Sequence, residues 1–142
     1  MKKLSFLAGK WSGDGTVARG RGDALKLRQS ENVEYKLDGL VMLVEGTGRD
    51  AAGQIVFRAL ATISYDDASK TYHFRAFNEG GYLDAELKVV GNGFEWGYTG
   101  GPLKVANKMQ IDAKGAWVET TESVYGNNPP QRSVEMTLQR QP

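Results

Sequence analysis

Hydrophobic and polar residues alternate along most of this 142-residue sequence, as they do in strands with one buried face. Short clusters of glycine, asparagine and aspartate separate the alternating runs, and Asp38-Gly39 is the strongest signal among them for a tight hairpin. The pattern predicts about ten strands joined mainly by short turns. The predicted strands are residues 11–17, 27–36, 40–48, 54–66, 71–79, 82–90, 94–100, 103–112, 116–125 and 132–140.

A sheet of many short strands has to hide its edges, and closure into a barrel does this completely. A sandwich of two sheets is the alternative, but its Greek-key crossovers need longer links than the hairpins seen here. Helical periodicity is confined to Leu4, Phe6 and Leu7, which predict one turn ahead of the first strand. We therefore expect residues 1–142 to form a single all-β domain, an antiparallel up-and-down barrel with a short N-terminal helical turn.

The opening segment FLAGKWSGDG, residues 6–15, resembles the Gly-x-Trp opening of the calycin superfamily, which includes lipocalins and fatty-acid-binding proteins. Together with the hairpin LDGLVMLVEGTG and the aromatic-rich later strands, it makes the chain similar to a lipocalin-like bacterial family of unknown function. The resemblance implies that Trp11 packs across the barrel floor against an arginine of the last strand. Arg140 is the expected partner, ahead of Arg132, since a guanidinium stacked on an indole gains a cation–π contact.

One phase of the alternation carries the apolar residues that would point into the barrel. Small alanines beside large aromatic rings would fill the interior unevenly and leave room for one small ligand. The alternative is that these side chains simply fill the core. The predicted inward residues are Val33, Tyr35, Met42, Val44, Phe57, Ala59, Ala61, Ile63, Tyr72, Phe74, Ala76, Leu83, Ala85, Leu87, Phe94, Trp96, Tyr98, Val105, Met109, Ile111, Trp117, Val134, Met136 and Leu138.

Six polar residues share this inward phase: Gln29, Glu31, Asn78, Asn107, Glu119 and Thr121. A buried polar group without a partner costs about 1–3 kcal/mol, so they must reach the barrel mouth, bond one another or meet a ligand. Asn78, Asn107 and Glu119 are the preferred groups for orienting a ligand with a flat apolar body and one polar group. The predicted ligand-binding residues are Tyr72, Phe74, Asn78, Trp96, Tyr98, Asn107, Met109, Trp117 and Glu119.

Reversible binding of a small, mainly apolar molecule is the leading hypothesis for function. An enzyme in the same barrel, of decarboxylase, isomerase or hydrolase type, is the alternative, with Glu119 as base and Tyr98 or Tyr72 as acid. A third interpretation is an interaction module with a filled interior that uses its outer surface.

The composition disfavours several other classes of protein. The net charge is +1, from 18 basic and 17 acidic residues, so no basic face for nucleic acid is expected. No apolar run approaches the ~20 residues of a membrane span. The chain has no cysteine and one histidine, His73, in the outward phase. Because haem-binding relatives use a histidine near the end of the chain, where this sequence has none, we expect neither a metal nor a cofactor.

The compartment and the oligomeric state stay open at this point. The segment MKKLSFLAG begins like a signal peptide, but its apolar stretch stops after about five residues. A cytoplasmic protein is expected from the sequence as it stands, and a periplasmic or secreted one if a signal peptide was removed. A monomer or a homodimer is expected. The glycine-rich first loop, residues 17–26, contains the tripeptide Arg21-Gly22-Asp23 and is a candidate lid by analogy with lipocalins.

Overall fold

A computed structural model describes residues 1–18 and 23–142. Two short 3-10 helices lie in these residues, Lys2–Leu7 before the first strand and Leu37–Gly39 between the second and third. The remaining regular structure is β-strand. The strands are β1 (Gly9–Val17), β2 (Leu25–Lys36), β3 (Val41–Arg49), β4 (Ile55–Asp66), β5 (Thr71–Asn78), β6 (Gly81–Val89), β7 (Gly93–Gly100), β8 (Leu103–Ile111), β9 (Trp117–Tyr125) and β10 (Gln131–Gln141).

The ten strands of the described residues form one closed barrel in which each strand runs antiparallel to its neighbours in sequence. The barrel closes between β1 and β10, where Trp11 lies opposite Arg140 and Gly15 opposite Met136. Closure gives every strand two neighbours, so no strand lies at the edge of the sheet. The predicted all-β, up-and-down barrel with an N-terminal helical turn is therefore confirmed.

The connection between β2 and β3 differs from the expected two-residue turn at Asp38-Gly39. Leu37, Asp38 and Gly39 all have positive φ, at 50°, 54° and 90°, and form a single 3-10 turn. Aspartate and glycine adopt this conformation more readily than other residues, which explains why the chain reverses here. The turn leaves Leu37 and Leu40 largely exposed.

The hydrophobic core lies at the end of the barrel that carries the N-terminal 3-10 helix. Leu4 and Leu7 of this helix are completely buried, as are Met42 and Leu138 on strands β3 and β10. These side chains join Trp11 in one cluster, so the helix closes this end of the barrel. Tyr35 was predicted to point inward but keeps 37% of its surface exposed, since it lies near the end of β2.

No helix in residues 1–18 and 23–142 has the length and apolarity needed to cross a bilayer. Over the same residues, no three histidine, aspartate or glutamate side chains come together in a way that could hold a metal ion.

Candidate functional site: the barrel cavity

A cavity of about 400 Å³ lies inside the barrel and extends from Leu7 of the N-terminal helix toward the opposite end. Its wall includes the last residues of β1, Gly15 to Val17, and residues near the start of β2, such as Leu27. All ten strands contribute to the lining. The apolar lining residues are Leu7, Val17, Leu27, Val44, Phe57, Ala59, Ala61, Ile63, Phe74, Ala76, Leu83, Phe94, Trp96, Leu103, Val105, Trp117, Val134 and Met136.

The floor below the cavity is built on Trp11, which is 2% exposed. Its indole nitrogen donates a hydrogen bond to the Leu7 carbonyl oxygen at 2.9 Å, which ties the helix to β1. The Arg140 guanidinium carbon lies 4.2 Å from the centre of the Trp11 ring. Arg140 also donates hydrogen bonds to the carbonyl oxygens of Ala8 and Phe6, at 2.5 and 2.7 Å. One arginine thus covers the indole and satisfies the backbone at the end of the helix.

Three nearly parallel aromatic rings form one wall of the cavity. Phe74 on β5 stacks on Trp96 of β7, with ring centres 4.9 Å apart and an angle of 19° between the planes. Trp96 and Tyr98 are parallel to within 5°, with ring centres 6.4 Å apart. All three border the cavity. Such a wall presents flat apolar area that suits contact with a planar ligand.

A polar cluster lies beside this wall, since Asn107 on β8 is the cross-strand neighbour of Trp96, and its centre is Glu119 on β9. The Trp117 indole nitrogen donates to Glu119 Oε1 at 2.9 Å, and Asn107 Nδ2 donates to Glu119 Oε2 at 3.1 Å. Asn107 Nδ2 also lies 2.8 Å from Thr121 Oγ1, to which it donates a second hydrogen bond. The amide oxygen of Asn107, a residue only 1% exposed, accepts no hydrogen bond from the described residues.

Glu31 on β2 is a second acidic residue of the lining and is 8% exposed. Gln29 Nε2 donates a hydrogen bond to Glu31 Oε1 at 2.9 Å. The pair reaches across β3 at a point where that strand carries Gly46 and Gly48. A Cβ atom at Gly46 would lie 2.8 Å from Glu31 Oε1, and one at Gly48 would lie 2.9 Å from Gln29 Oε1. Because Gly46 and Gly48 have no side chains, β3 leaves room for the Gln29–Glu31 pair.

Burial raises the pKa of both carboxyl groups. The pKa of Glu31 rises from 4.5 to about 8, first because the group is desolvated and then because Glu119 repels its charged form. The hydrogen bond from Gln29 opposes this rise. Desolvation also raises the pKa of Glu119, while the hydrogen bonds from Asn107 and Trp117 lower it. Glu119 retains some accessible surface because it borders the cavity.

The side of the barrel between β6 and β7 is less tightly paired than the rest. In the described residues these strands share three pairs, Leu87 with Trp96, Lys88 with Glu95 and Val89 with Phe94. Leu83 and Tyr98 lie beyond the last of these pairs, and both border the cavity. The cavity wall therefore lacks backbone hydrogen bonds between β6 and β7 on this side.

The structure brings together seven of the nine residues predicted to bind a ligand. Asn78, one of the seven, lies at the exposed end of β5. Met109 is buried in the core and Tyr72 packs on Tyr65, with ring centres 4.8 Å apart, so neither borders the cavity. The seven residues in the lining are Phe74, Asn78, Trp96, Tyr98, Asn107, Trp117 and Glu119.

Sequence reasoning placed Glu31 and Gln29 in the inward phase but did not select them for the site. Gly48 and Gly46 on β3 lie opposite Gln29 and Glu31. These two glycines are the signal that would have selected the polar pair for the site. The sole histidine, His73, is exposed on the outer face, with Nε2 3.2 Å from Thr71 Oγ1. Residues 19–22 of the proposed lid, which include Arg21 and Gly22 of the tripeptide, lie outside the described residues.

Comparison with known proteins supports the barrel fold only. No protein-family model matches the chain, and no curated protein matches it. The crystal structure of Rv2717c from M. tuberculosis is similar, with a TM-score of 0.74 over 99% of this chain and 96% of that chain. The two sequences are 14% identical, so the similarity extends to the barrel fold alone.

Proposed function

We propose that this chain reversibly binds a small, mainly apolar molecule inside the barrel. The observation that carries the proposal is the cavity of about 400 Å³, with stacked rings on one wall and a closed floor beneath it. Ligand cavities of this kind combine a mostly apolar lining with a few polar groups that orient the ligand. We also propose that the chain is a single-domain, lipocalin-like member of the calycin superfamily.

In this proposal the lining residues have different tasks. Phe74, Trp96 and Tyr98 contact the flat body of the ligand, and Trp117 closes the cavity above the floor. Asn107 and Glu119 meet the polar group of the ligand, and Asn78 lies at the mouth. Trp11 and Arg140 hold the floor and do not touch the ligand.

Titration with N-phenyl-1-naphthylamine, a neutral dye whose emission rises in apolar surroundings, tests the proposal. We expect saturable binding to the freshly purified protein, together with native mass spectrometry that detects any molecule carried through purification. Ala76→Phe places a ring in the cavity and should abolish the signal. Ala106→Phe, at an exposed position on β8, is the matched control and should retain it.

Two results would overturn the proposal. One is the absence of both a bound mass and a saturable dye signal. The other is a dye signal that Ala106→Phe reduces and Ala76→Phe leaves unchanged, because the dye would then sit on the outer surface. Circular dichroism of both variants establishes that the barrel is intact in each titration.

Acid–base catalysis is a second candidate, favoured by the two buried carboxyls whose pKa values lie above the usual range. Tyr98 borders the cavity with Glu119 and is the available acid. Incubation of the protein with any ligand found by mass spectrometry separates the two candidates. A binding protein returns the ligand unchanged, whereas an enzyme returns a product and loses this activity in Glu119→Gln.

A further inference from the structure

We propose that the polar group of the ligand is a protonated amine, which binds between Glu31 and Glu119. This inference rests on the proposed function, since it assigns the chemical class of the molecule that the cavity holds. It goes further because the apolar wall alone would accept a neutral, an acidic or a basic ligand.

The charges of the lining supply the first argument. Two glutamates, Glu31 and Glu119, border the cavity with buried or half-buried side chains, and no lysine, arginine or histidine does so among the lining residues that the structure describes. Glu135 also borders it, but its side chain is exposed and pairs with Arg132. The nearby guanidinium of Arg140 is stacked on Trp11 and bonded to backbone carbonyl oxygens below the floor. Buried carboxyl groups are usually paired with a cation or with strong donors. Among the described residues, the donors to Glu31 and Glu119 are the neutral side chains of Gln29, Asn107 and Trp117, and an amine would supply the missing charge.

The balance of hydrogen-bonding groups supplies the second argument. Glu31 accepts one hydrogen bond, on Oε1, and Glu119 accepts one on each oxygen, although a carboxylate has about four acceptor positions. The amide oxygen of Asn107 is buried without a donor. Once Glu31 is ionised, the cluster therefore has more acceptors than donors. An ammonium group carries three donors and no acceptor, which is the complement of this cluster.

The apolar wall excludes a bare metal ion as the preferred occupant. A hydrated metal cation would bond to the carboxylates but would gain nothing from Phe74, Trp96 and Tyr98. An organic amine with a flat apolar body contacts both the aromatic rings and the carboxyl groups. An organic anion would be repelled by the charge of Glu119, which adds to the effect of desolvation in raising the pKa of Glu31.

Binding of a cation should release a proton from the pair of carboxyl groups. The titratable residues that border the cavity are Glu31, Glu119, Glu135 and Tyr98. Glu31 holds its proton below a pKa of about 8, so an incoming ammonium displaces that proton to solvent and pairs with the carboxylate. Affinity for the amine should therefore rise from pH 6 to pH 8, by up to about tenfold per pH unit.

Isothermal titration with three ligands of the same apolar body tests the inference. The ligands are 1-naphthylmethylamine, 1-naphthalenemethanol and 1-naphthoic acid, which differ in charge at neutral pH. We expect the amine to bind about tenfold or more tightly than the alcohol, the range for a hydrogen bond to a charged group, and the acid to bind weakest. Buffers of different ionisation enthalpy should reveal release of a proton with the amine and none with the alcohol.

Variants locate the preference within the cavity. Glu31→Gln and Glu119→Gln should each reduce the ratio of amine to alcohol affinity by about tenfold. In Glu119→Gln the Asn107 amide can turn its unpartnered oxygen toward the new donor, so the local hydrogen bonds can be remade. Glu86→Gln, on the exposed face of β6, is the matched control and should keep the wild-type ratio.

The outcomes separate this inference from the proposed function. If the alcohol binds and the amine has no advantage, or if the acid binds tightest, the amine assignment is wrong and the cavity still binds apolar molecules. If the amine preference survives in both glutamine variants, its polar group is not held by Glu31 and Glu119. If neither the naphthyl ligands nor N-phenyl-1-naphthylamine binds, both proposals fail. The wild-type comparison needs no variant, so a variant that fails to fold leaves the test in place.

Discussion

Trp117 donates its indole hydrogen to Glu119 Oε1 at 2.9 Å while the edge of its ring meets Trp11, with ring centres 5.5 Å apart and planes at 71°. One side chain thus connects the barrel floor to the polar cluster of the cavity. An edge-to-face pair of this kind is favourable in its own right, and the indole donor makes the carboxylate less costly to bury. The position of the acidic group therefore depends on the packing of the floor.

Trp117→Phe tests this link, because it keeps an aromatic ring and removes the donor. We expect a loss of about 1–3 kcal/mol in the free energy of unfolding, from the lost hydrogen bond and the smaller ring. Urea unfolding followed by circular dichroism measures it. In a Glu119→Gln background the same substitution should cost less, since the buried group then carries no charge. Equal costs in the two backgrounds would show that the hydrogen bond is not coupled to that charge.

Arg140→Ala should destabilise the closed end of the barrel. The variant loses the contact with the Trp11 ring and both hydrogen bonds to the backbone of the helix, together worth about 1–3 kcal/mol. Thermal unfolding measures the change, and the Trp11 emission should shift as its ring gains contact with water.

The matched control for this substitution is Arg132→Ala, on the same strand. Among the described residues, Arg132 forms exposed ion pairs with Glu122 and Glu135, which contribute about 1 kcal/mol or less. An equal or greater loss in Arg132→Ala would contradict the role of Arg140 in the floor.

Gly46→Ala should disturb the pair formed by Gln29 and Glu31. The new methyl group would lie within 3 Å of both Glu31 carboxyl oxygens, so the carboxyl group must move. We expect a loss of stability of about 1–3 kcal/mol and weaker binding of the naphthyl amine. Gly100→Ala is the control, since nothing lies within 4 Å of a Cβ there. Unchanged amine binding in a folded Gly46→Ala would mean that the position of Glu31 is immaterial.

The raised pKa of Glu31 predicts how stability depends on pH. Between pH 4.5 and about 8 the folded protein keeps the Glu31 proton and the unfolded chain loses it, so the folded state binds more protons. The free energy of unfolding should therefore fall as the pH rises through this window, by up to about 1.4 kcal/mol per pH unit. The raised pKa of Glu119 acts in the same direction.

Glu31→Gln removes the titrating group and should flatten this slope, while Glu86→Gln should keep it. Urea titrations at several pH values between 5 and 8 give the slopes. A Glu31→Gln protein that loses stability with pH as steeply as the wild type would mean that Glu31 is charged in the folded protein at neutral pH.

Much of the barrel could be predicted because its determinants are local. The alternation of side chains is a property of each strand by itself, and the turn residues between strands identify the hairpins. Leu4 and Leu7 were recognised as a helical turn because their spacing differs from that of the strands. The ends of strands were less predictable, and Tyr35 became exposed because its position depends on where the barrel ends.

The cavity could be predicted only in part because it depends on contacts between distant strands. Glu31 and Glu119 affect each other although 88 positions, by difference of their numbers, separate them in the chain. Met109 and Tyr72 share the inward phase with Trp96, yet neither borders the cavity. The alternation predicts whether a residue points into or out of the barrel. It does not predict how far the empty space extends along the barrel axis.

Titration of the protein with 1-naphthalenemethanol, followed by the indole N–H signals of its three tryptophans in a ¹⁵N–¹H spectrum, tests the central claim most directly. Binding in the cavity should shift the signals of Trp96 and Trp117 in a saturable way and move that of Trp11 least, since Trp11 lies below the lining. If all three indole signals stay in place at saturating ligand, or if only backbone signals of outward-facing residues move, the barrel does not bind the ligand inside.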